Sequence, residues 1–222
     1  MDKVSYALGI GIGRQLADMG ANDIVTEDFA AAMKDVLTGA QLQIDETEAQ
    51  AMVQEYLQRK GEERLKNVKA EGEAFLADNA KKEGVVTLPS GLQYKVLTAG
   101  TGEVATKDDN VTVRYEGKTI DGNVFDSSYK RNPDTSTFRP DQVIKGWTEA
   151  LTSMPAGSTW MLYIPQELAY GSRAAGQIKP YSTLIFKVEL VKIDRKQQPA
   201  EAKKEEKKAP AKKTAAKKSR KK

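Results

Sequence analysis

The feature that most constrains this chain is a change of hydrophobic period near residue 84. Before it, apolar residues recur at spacings of three and four, as in Val4, Leu8, Ile12, Leu16 and Met19. After it they alternate with polar ones: Leu92, Tyr94 and Val96; Val111, Val113 and Tyr115; Trp160, Leu162 and Ile164; Leu184, Phe186, Val188 and Leu190. The first spacing buries one face of a helix, and alternation buries one face of a strand. A chain of 222 residues written in these two periods, one after the other, reads as α+β: an all-α N-terminal domain followed by an antiparallel sheet.

The helical block divides into three. The first helix covers about Asp2 to Met19. Its Gly9-Ile10-Gly11-Ile12-Gly13 lacks G-x-G-x-x-G spacing and follows no strand, which argues against a dinucleotide site. Gly9 and Gly13, four apart, instead thin one face so that another helix can come close. A second helix begins near Thr26, with Glu27 and Asp28 at its positive end, and stops at Gly39. A third starts at Asp45, where Asp45 and Glu48 have capping-box spacing, and continues without a Pro to about Lys82. Roughly 36 residues at 1.5 Å each make a rod of about 54 Å. Two short helices cannot cover such a rod. Its first half, to Tyr56-Leu57, is expected to pack with them and with a second copy of the chain, as a homodimer. The stretch from Arg59 to Lys82 is richly charged and reads as a solvated arm. A compact single-chain bundle with a fraying tail is the alternative.

In the second block, turns at Gly100-Thr101-Gly102, Asp121-Gly122-Asn123 and Pro155-Ala156-Gly157-Ser158 separate the strands. One short helix interrupts them: Thr148-Glu149-Ala150-Leu151, ended by the Pro155 region. A twisted antiparallel sheet wrapped around that helix is the expected form. Just before the helix stands Val143-Ile144-Lys145-Gly146-Trp147. Glycine before Trp permits a sharp turn or a close approach, and an indole where a loop becomes a helix can floor a cavity. Tyr115, Phe125, Phe138, Tyr163, Tyr170 and Phe186 lie on either side in sequence, and several are expected to converge on Trp147. Leu184 and Phe186 share the face that should meet it. The alternative is that Trp147 is merely the largest core residue of a small sheet.

The composition narrows the chemistry. The chain has no His and no Cys, which excludes disulfides, thiolate or imidazole metal sites, Cys nucleophiles and His-based triads. Neither a metal nor a cofactor is expected. Charge is split along the chain: from Arg195 to Lys222 there are thirteen Lys and Arg against three Glu. Of the chain's 35 basic and 31 acidic residues, 22 and 28 then remain for the rest. Residues 195–222 therefore read as a disordered Lys-rich tail, suited to non-specific polyanion binding or to solubility alone. Having no aromatic residue, the tail could not stack on bases. No apolar run approaches the ~20 residues of a membrane span. The chain opens on an amphipathic pattern rather than a signal-peptide core. The expected location is the cytoplasm, or the periplasm or outer membrane if an export signal has been removed.

Read in order, Tyr115-Glu116-Gly117, Asp121-Gly122-Asn123-Val124-Phe125-Asp126-Ser127-Ser128, Val143-Ile144-Lys145-Gly146-Trp147, Ala169-Tyr170-Gly171 and Thr183-Leu184-Ile185-Phe186 form a highly specific set. They closely resemble the FKBP-type peptidyl-prolyl cis-trans isomerases across about Gly91 to Ile193. Gly39-Ala40-Gln41-Leu42 and Leu88-Pro89-Ser90-Gly91-Leu92-Gln93-Tyr94 resemble the dimerisation region and connecting helix of the bacterial Mip-like branch. The implied organisation is a helical dimerisation region over 1–45, a connecting helix over 46–83, an isomerase domain over 84–194 and the tail.

The resemblance also implies an activity, isomerisation of X–Pro bonds during protein folding, and a site to perform it. Trp147 resembles the floor beneath the proline ring, with Tyr115, Phe125, Val143, Ile144 and Phe186 as walls and Ile178 as an apolar lip. Tyr170 resembles the hydroxyl that holds a substrate carbonyl. Asp126 resembles the polar group beside the twisting amide, anchoring Tyr115 or Arg131; outside the motif it would read as a turn-capping carboxylate. Unfolded X–Pro-containing chains are the implied partners, and macrolides the implied inhibitors. Ser136 stands where eukaryotic relatives often carry Phe, which opens that wall or makes it polar. The loop from Arg173 to Pro180 is shorter and more basic than in many relatives. A holdase-like chaperone with incidental isomerase activity is the competing reading.

Overall fold

A computed structural model describes residues 1–195 of the chain. Three helices open it: α1 (Lys3–Asp18), α2 (Thr26–Thr38) and α3 (Glu46–Asn79). Three of these boundaries have a local cause. Asp2 caps α1 by accepting from the Ser5 N–H at 2.6 Å. Gly39 ends α2 in the left-handed region at φ 68°, which glycine enters without a Cβ clash. Asp45 caps α3 by accepting from the Glu48 N–H at 2.8 Å, the interaction that the spacing of those two residues implied.

The α1–α2 connection is anchored on the middle of α3. The Tyr56 hydroxyl donates to Asp23, Lys60 pairs with Asp23 at 2.9 Å, and Arg64 donates to the Asp18 carbonyl at 2.6 Å. The hydrogen bond from Tyr56, and after it Lys60, hold the Asp23 carboxyl down to about 2. Elsewhere the helices cover each other poorly. Neither α1 nor α2 contains a buried residue, and Val4, Leu8, Val36 and Leu37 are exposed. Among the described residues nothing outside α1 lies within 4 Å of a Cβ placed on Gly9 or Gly13. Both face an open cleft of about 520 Å³, walled by Ile12 and Leu16 of α1 and Phe29 and Met33 of α2.

The rest forms one antiparallel sheet of seven strands: β1 (Val85–Thr87), β2 (Gln93–Thr98), β3 (Asn110–Thr119), β4 (Val124–Ser127), β5 (Ser136–Phe138), β6 (Thr159–Ile164) and β7 (Leu184–Asp194). The order is β1-β2-β6-β7-β3-β4, with β5 also pairing β3. One short helix, α4 (Lys145–Leu151), packs on it. Tyr94 pairs Leu162, Leu162 pairs Phe186, and Trp160 pairs Val188, so their side chains share one face. That face, with Leu151 and Met154 from α4 and the turn after it, makes the core. Period-two reading found the four longer strands but missed β1, β4 and β5, each too short to show an alternation.

The solvated-arm expectation for Arg59 to Lys82 fails at its C-terminal end. Helix α3 stops at Asn79, and its last two turns dock on the face of the sheet away from α4. Phe75 lies 6.0 Å from Tyr163, ring centroid to centroid. Asn79 Nδ2 donates to Gln93 Oε1 at 3.0 Å, and Gln93 Nε2 donates to the Leu76 carbonyl at 2.9 Å. Both amide side chains are buried, where a hydrogen-bonding group without a partner costs about 1–3 kcal/mol. Lys60 and Arg64 turn toward the α1–α2 connection, and the other charged residues of α3 from Arg59 to Asp78 are exposed. The expectations for the Lys-rich tail lie outside the described residues, except for Arg195, which pairs with Glu103 at 2.8 Å.

Candidate active site

At the start of α4 the chain comes close against the sheet. A Cβ on Gly146 would stand 2.5 Å from Ile164 Cγ2, so only glycine lets this turn seat against β6. Trp147, 4% exposed, is thereby driven onto the core face. It meets Tyr115 at 5.1 Å, Phe186 at 5.2 Å and Phe138 at 5.7 Å, with interplanar angles of 81–88°. Phe125 packs edge-on against Phe186 at 5.5 Å. Edge-to-face contacts place the positive rim of each ring on the negative face of the next. The result is a rigid aromatic floor.

Above this floor opens a cavity of about 830 Å³. Nine of the ten residues singled out from the sequence line it: Tyr115, Phe125, Asp126, Val143, Ile144, Trp147, Tyr170, Ile178 and Phe186. Trp147 is thus both a core residue and a cavity wall. Ile178 is held by a tight turn in which Ala175 and Ile178 exchange backbone hydrogen bonds at 3.0 and 2.9 Å. Arg131 is the exception, because it stands outside the lining and acts on two residues that belong to it.

Those contacts form one polar cluster at the rim. The Tyr115 hydroxyl donates to Asp126 Oδ2 at 2.5 Å. Arg131 donates through Nη2 to Asp126 Oδ1, and through Nη1 to the Tyr115 oxygen at 3.2 Å and the Ser136 hydroxyl at 3.0 Å. Its guanidinium also lies over the Tyr115 ring, 5.6 Å from the centroid. Burial, and then the bond to Asp126, push the Tyr115 hydroxyl above its ordinary value. The bond to the Tyr115 oxygen, with the nearby charge of Asp126, raises Arg131. Asp126 therefore anchors both candidates named for it, and Ser136, which does not line the cavity, accepts from Arg131. Tyr170 lines the cavity without belonging to this cluster.

Sequence reasoning counted Phe138 among the aromatics expected to converge on Trp147, but did not name Gln142, Lys145, Ala169, Arg173 or the turn from Ala175 to Gln177 as lining residues. Phe138 sits on the three-residue β5, where no periodicity could orient it. Lys145 opens α4, and the remaining positions carry no periodic signal.

The cavity holds no Cys or His, and no cluster of three or more metal-binding side chains occurs among the described residues. What remains is an apolar pit with a fixed polar rim, suited to grip a small apolar ring and act on a neighbouring dipole. Such a site, on a sheet curled over one helix, is fitted to bind an apolar ring. Comparison with known proteins gives the same answer. Residues 101–191 match the family model described as FKBP-type peptidyl-prolyl cis-trans isomerase. Residues 1–96 match that of the domain amino terminal to FKBP-type peptidyl-prolyl isomerase. The chain is 44% identical over 202 residues to the outer membrane protein MIP of Legionella longbeachae, covering 87% of this chain and 86% of that one. It is 43% identical over 195 residues to the FKBP-type 22 kDa peptidyl-prolyl cis-trans isomerase of Escherichia coli strain K12, covering 86% and 94%. Among solved structures, FkpA from Escherichia coli superposes with a TM-score of 0.68 at 33% identity, over 86% of this chain and 95% of that one. The chain belongs to the FKBP-type peptidyl-prolyl cis-trans isomerases, in the Mip and FkpA branch with its own amino-terminal domain. It is an isomerase of X–Pro bonds.

The comparisons give no support to a cytoplasmic location, since one relative is named an outer membrane protein. Among the described residues no helix is long and apolar enough to cross a membrane.

Proposed function

We propose that proline enters the cavity over Trp147, with Tyr115, Phe125, Val143, Ile144 and Phe186 around its ring and Ile178 closing one side. The observation that carries this reading is the convergence of nine family-matched positions on one apolar pit with Asp126 at its rim. An X–Pro amide resists rotation by roughly 18–20 kcal/mol because resonance keeps it planar. Twisting it through 90° breaks that resonance, leaves the carbonyl more ketone-like and makes the proline nitrogen pyramidal. A dry pocket excludes the water that stabilises the planar amide. Tyr170 donates to a substrate carbonyl, and the Asp126 carboxylate, fixed by Tyr115 and Arg131, faces the dipole of the twisting bond. Preference for the twisted form by about 5–7 kcal/mol would yield roughly 10⁴–10⁵-fold acceleration with no bond broken. Macrolide-type inhibitors would compete for the same pit. The experiment is tetrapeptide X–Pro isomerisation by the intact chain and by Tyr170→Phe. Removing the hydroxyl should cost about 10-fold in kcat/KM, and unchanged kcat/KM would remove Tyr170 from the mechanism.

The helical part has a second role in this reading, as an isologous homodimer interface that also lets the protein hold unfolded chains. Support comes from α1 and α2, which expose apolar side chains and bury none. A second copy laid into the α1–α2 cleft would cover them, and Gly9 and Gly13 would let its helix approach. In the intact dimer, holding of client and isomerisation coexist.

A further inference from the structure

A second cavity, of about 260 Å³, lies between α3 and the sheet. Its walls come from three separate segments. Val68 and Glu71 belong to α3, Asp121 to the turn that joins β3 to β4, Val124 to the start of β4, and Lys179 to the connection between β6 and β7. Phe125 and Gln177 line this recess and the aromatic cavity alike. The two spaces are therefore neighbours across one pair of side chains. The recess is a fixed feature, because α3 is docked on the sheet by Phe75 on Tyr163 and Asn79 on Gln93.

We propose that the recess receives the polypeptide flank of a client whose proline sits over Trp147, so that α3 helps choose which X–Pro sequences are processed. The inference rests on the pocket reading above. Continuity through Phe125 and Gln177 is its first support. Its second is β4, the end strand of the sheet's main order, paired with β3 on one side only among the described residues. An extended peptide leaving the pocket beside Phe125 runs next to that open edge, where backbone groups are free to pair.

Charge sets the preference within the flank. Glu71 and Asp121 supply two carboxylates against the single ammonium of Lys179. Asp121 is committed to its own turn, accepting from the Thr119 hydroxyl and from Asn123 Nδ2 at 2.8 Å. Glu71 is exposed on α3 and can turn toward a bound chain. Between Val68 and Val124 the recess also offers apolar surface for the stem of a long side chain. A Lys or Arg a few residues from the proline fits this arrangement, and a Glu does not.

The test uses the intact chain and two long peptides with the same X–Pro core, one carrying Lys and the other Glu at the third and fourth positions on both sides. The quantity read is the ratio of kcat/KM for the Lys peptide to that for the Glu peptide, so a partial loss of folded protein cancels. At low salt the ratio should be about 2–5, the size that exposed ion pairs supply, and it should fall toward one at high salt. Glu71→Lys should bring it to one or below, and Lys179→Glu should widen it. A ratio that neither substitution moves, in variants that still turn over both peptides, overturns the recess and leaves the pocket reading standing. If a proline-mimicking ligand fails to inhibit turnover of either peptide, the pocket reading fails instead.

Discussion

Gly72 of α3 lies against Thr183, just before β7, so closely that a Cβ there would stand 2.5 Å from Thr183 Oγ1. Thr183 itself is buried. With Phe75, Leu76 and Asn79, Gly72 completes one face of the helix, at spacings of three, four and seven. Every position on this face meets the sheet domain. The rod that ties the helical part to the isomerase part is thereby held at its end by contact and not only by the chain.

Replacing Gly72 by Leu should therefore loosen the end of α3, at a cost of roughly 1–3 kcal/mol for overpacking. Hydrogen exchange at the last turns of α3 and at β2 would report it, as faster exchange confined to that junction. Gly61, with open space where its Cβ would stand, provides the contrast. Gly61→Ala should stabilise α3 by about 0.5–1 kcal/mol through backbone entropy alone. Equal effects from the two substitutions would mean that the Gly72 contact does not hold the junction.

The Asp23 anchor should show in acid. Its carboxyl is held down to about 2, below the ordinary value near ~4. A depressed folded value stabilises above the unfolded one and is lost as pH falls through the folded one. The stability difference between the wild type and Asp23→Asn should thus be constant above about pH 4 and shrink to nothing toward pH 2. A difference independent of pH would show that the charge of Asp23 is not what Tyr56 and Lys60 hold.

Isomerase activity should be flat between about pH 6 and 8.5. The chain has no His or Cys, and the side chains at the rim of the pocket belong to types that ordinarily titrate near ~4 or above ~10. Tyr115 is pushed further up, away from this window. A midpoint near neutrality in kcat/KM would require a proton step that the pocket has no group to perform.

Self-association should depend on the α1–α2 cleft. Leu8 and Leu37, exposed at 64% and 80%, line it from the two helices. Replacing both by Glu should yield monomers by sedimentation at micromolar concentration, with tetrapeptide turnover unchanged and protein-refolding activity reduced. Dimers that survive the double substitution would rule out this face as the interface.

The sequence carried the pocket further than it carried the junction between the two parts. Leu162 falls two residues from Trp160 and from Ile164, and Phe186 two from Leu184 and from Val188, so the core face could be read from period, and Tyr115 and Phe186 do meet Trp147. The caps at Gly39 and Asp45 were equally legible, because a helix end is satisfied within a few residues of itself. Gln93 was not. In an alternating strand it reads as the solvent-facing partner of Leu92 and Tyr94, yet it is buried because Leu76 and Asn79 cover it. Gly146 signalled a special backbone position, but only the structure shows that Ile164 is what requires it. Arg131 was named as a partner of Asp126 by resemblance, but that it holds Asp126 and Tyr115 at once depends on how the loop from Arg131 to Ser136 folds back.

The most direct test of the account is tetrapeptide X–Pro isomerisation by Asp126→Asn, measured beside its thermal stability. The substitution keeps the side chain's shape and removes the charge that Tyr115 and Arg131 orient toward the cavity. At the half-exposed rim the lost ion pair should cost no more than about 1 kcal/mol of stability. The account expects kcat/KM to fall at least about 10-fold with Tm nearly unchanged. Full activity in a normally folded Asp126→Asn chain would contradict it, and would return Asp126 to the role of a structural carboxylate beside a pocket that works by shape alone.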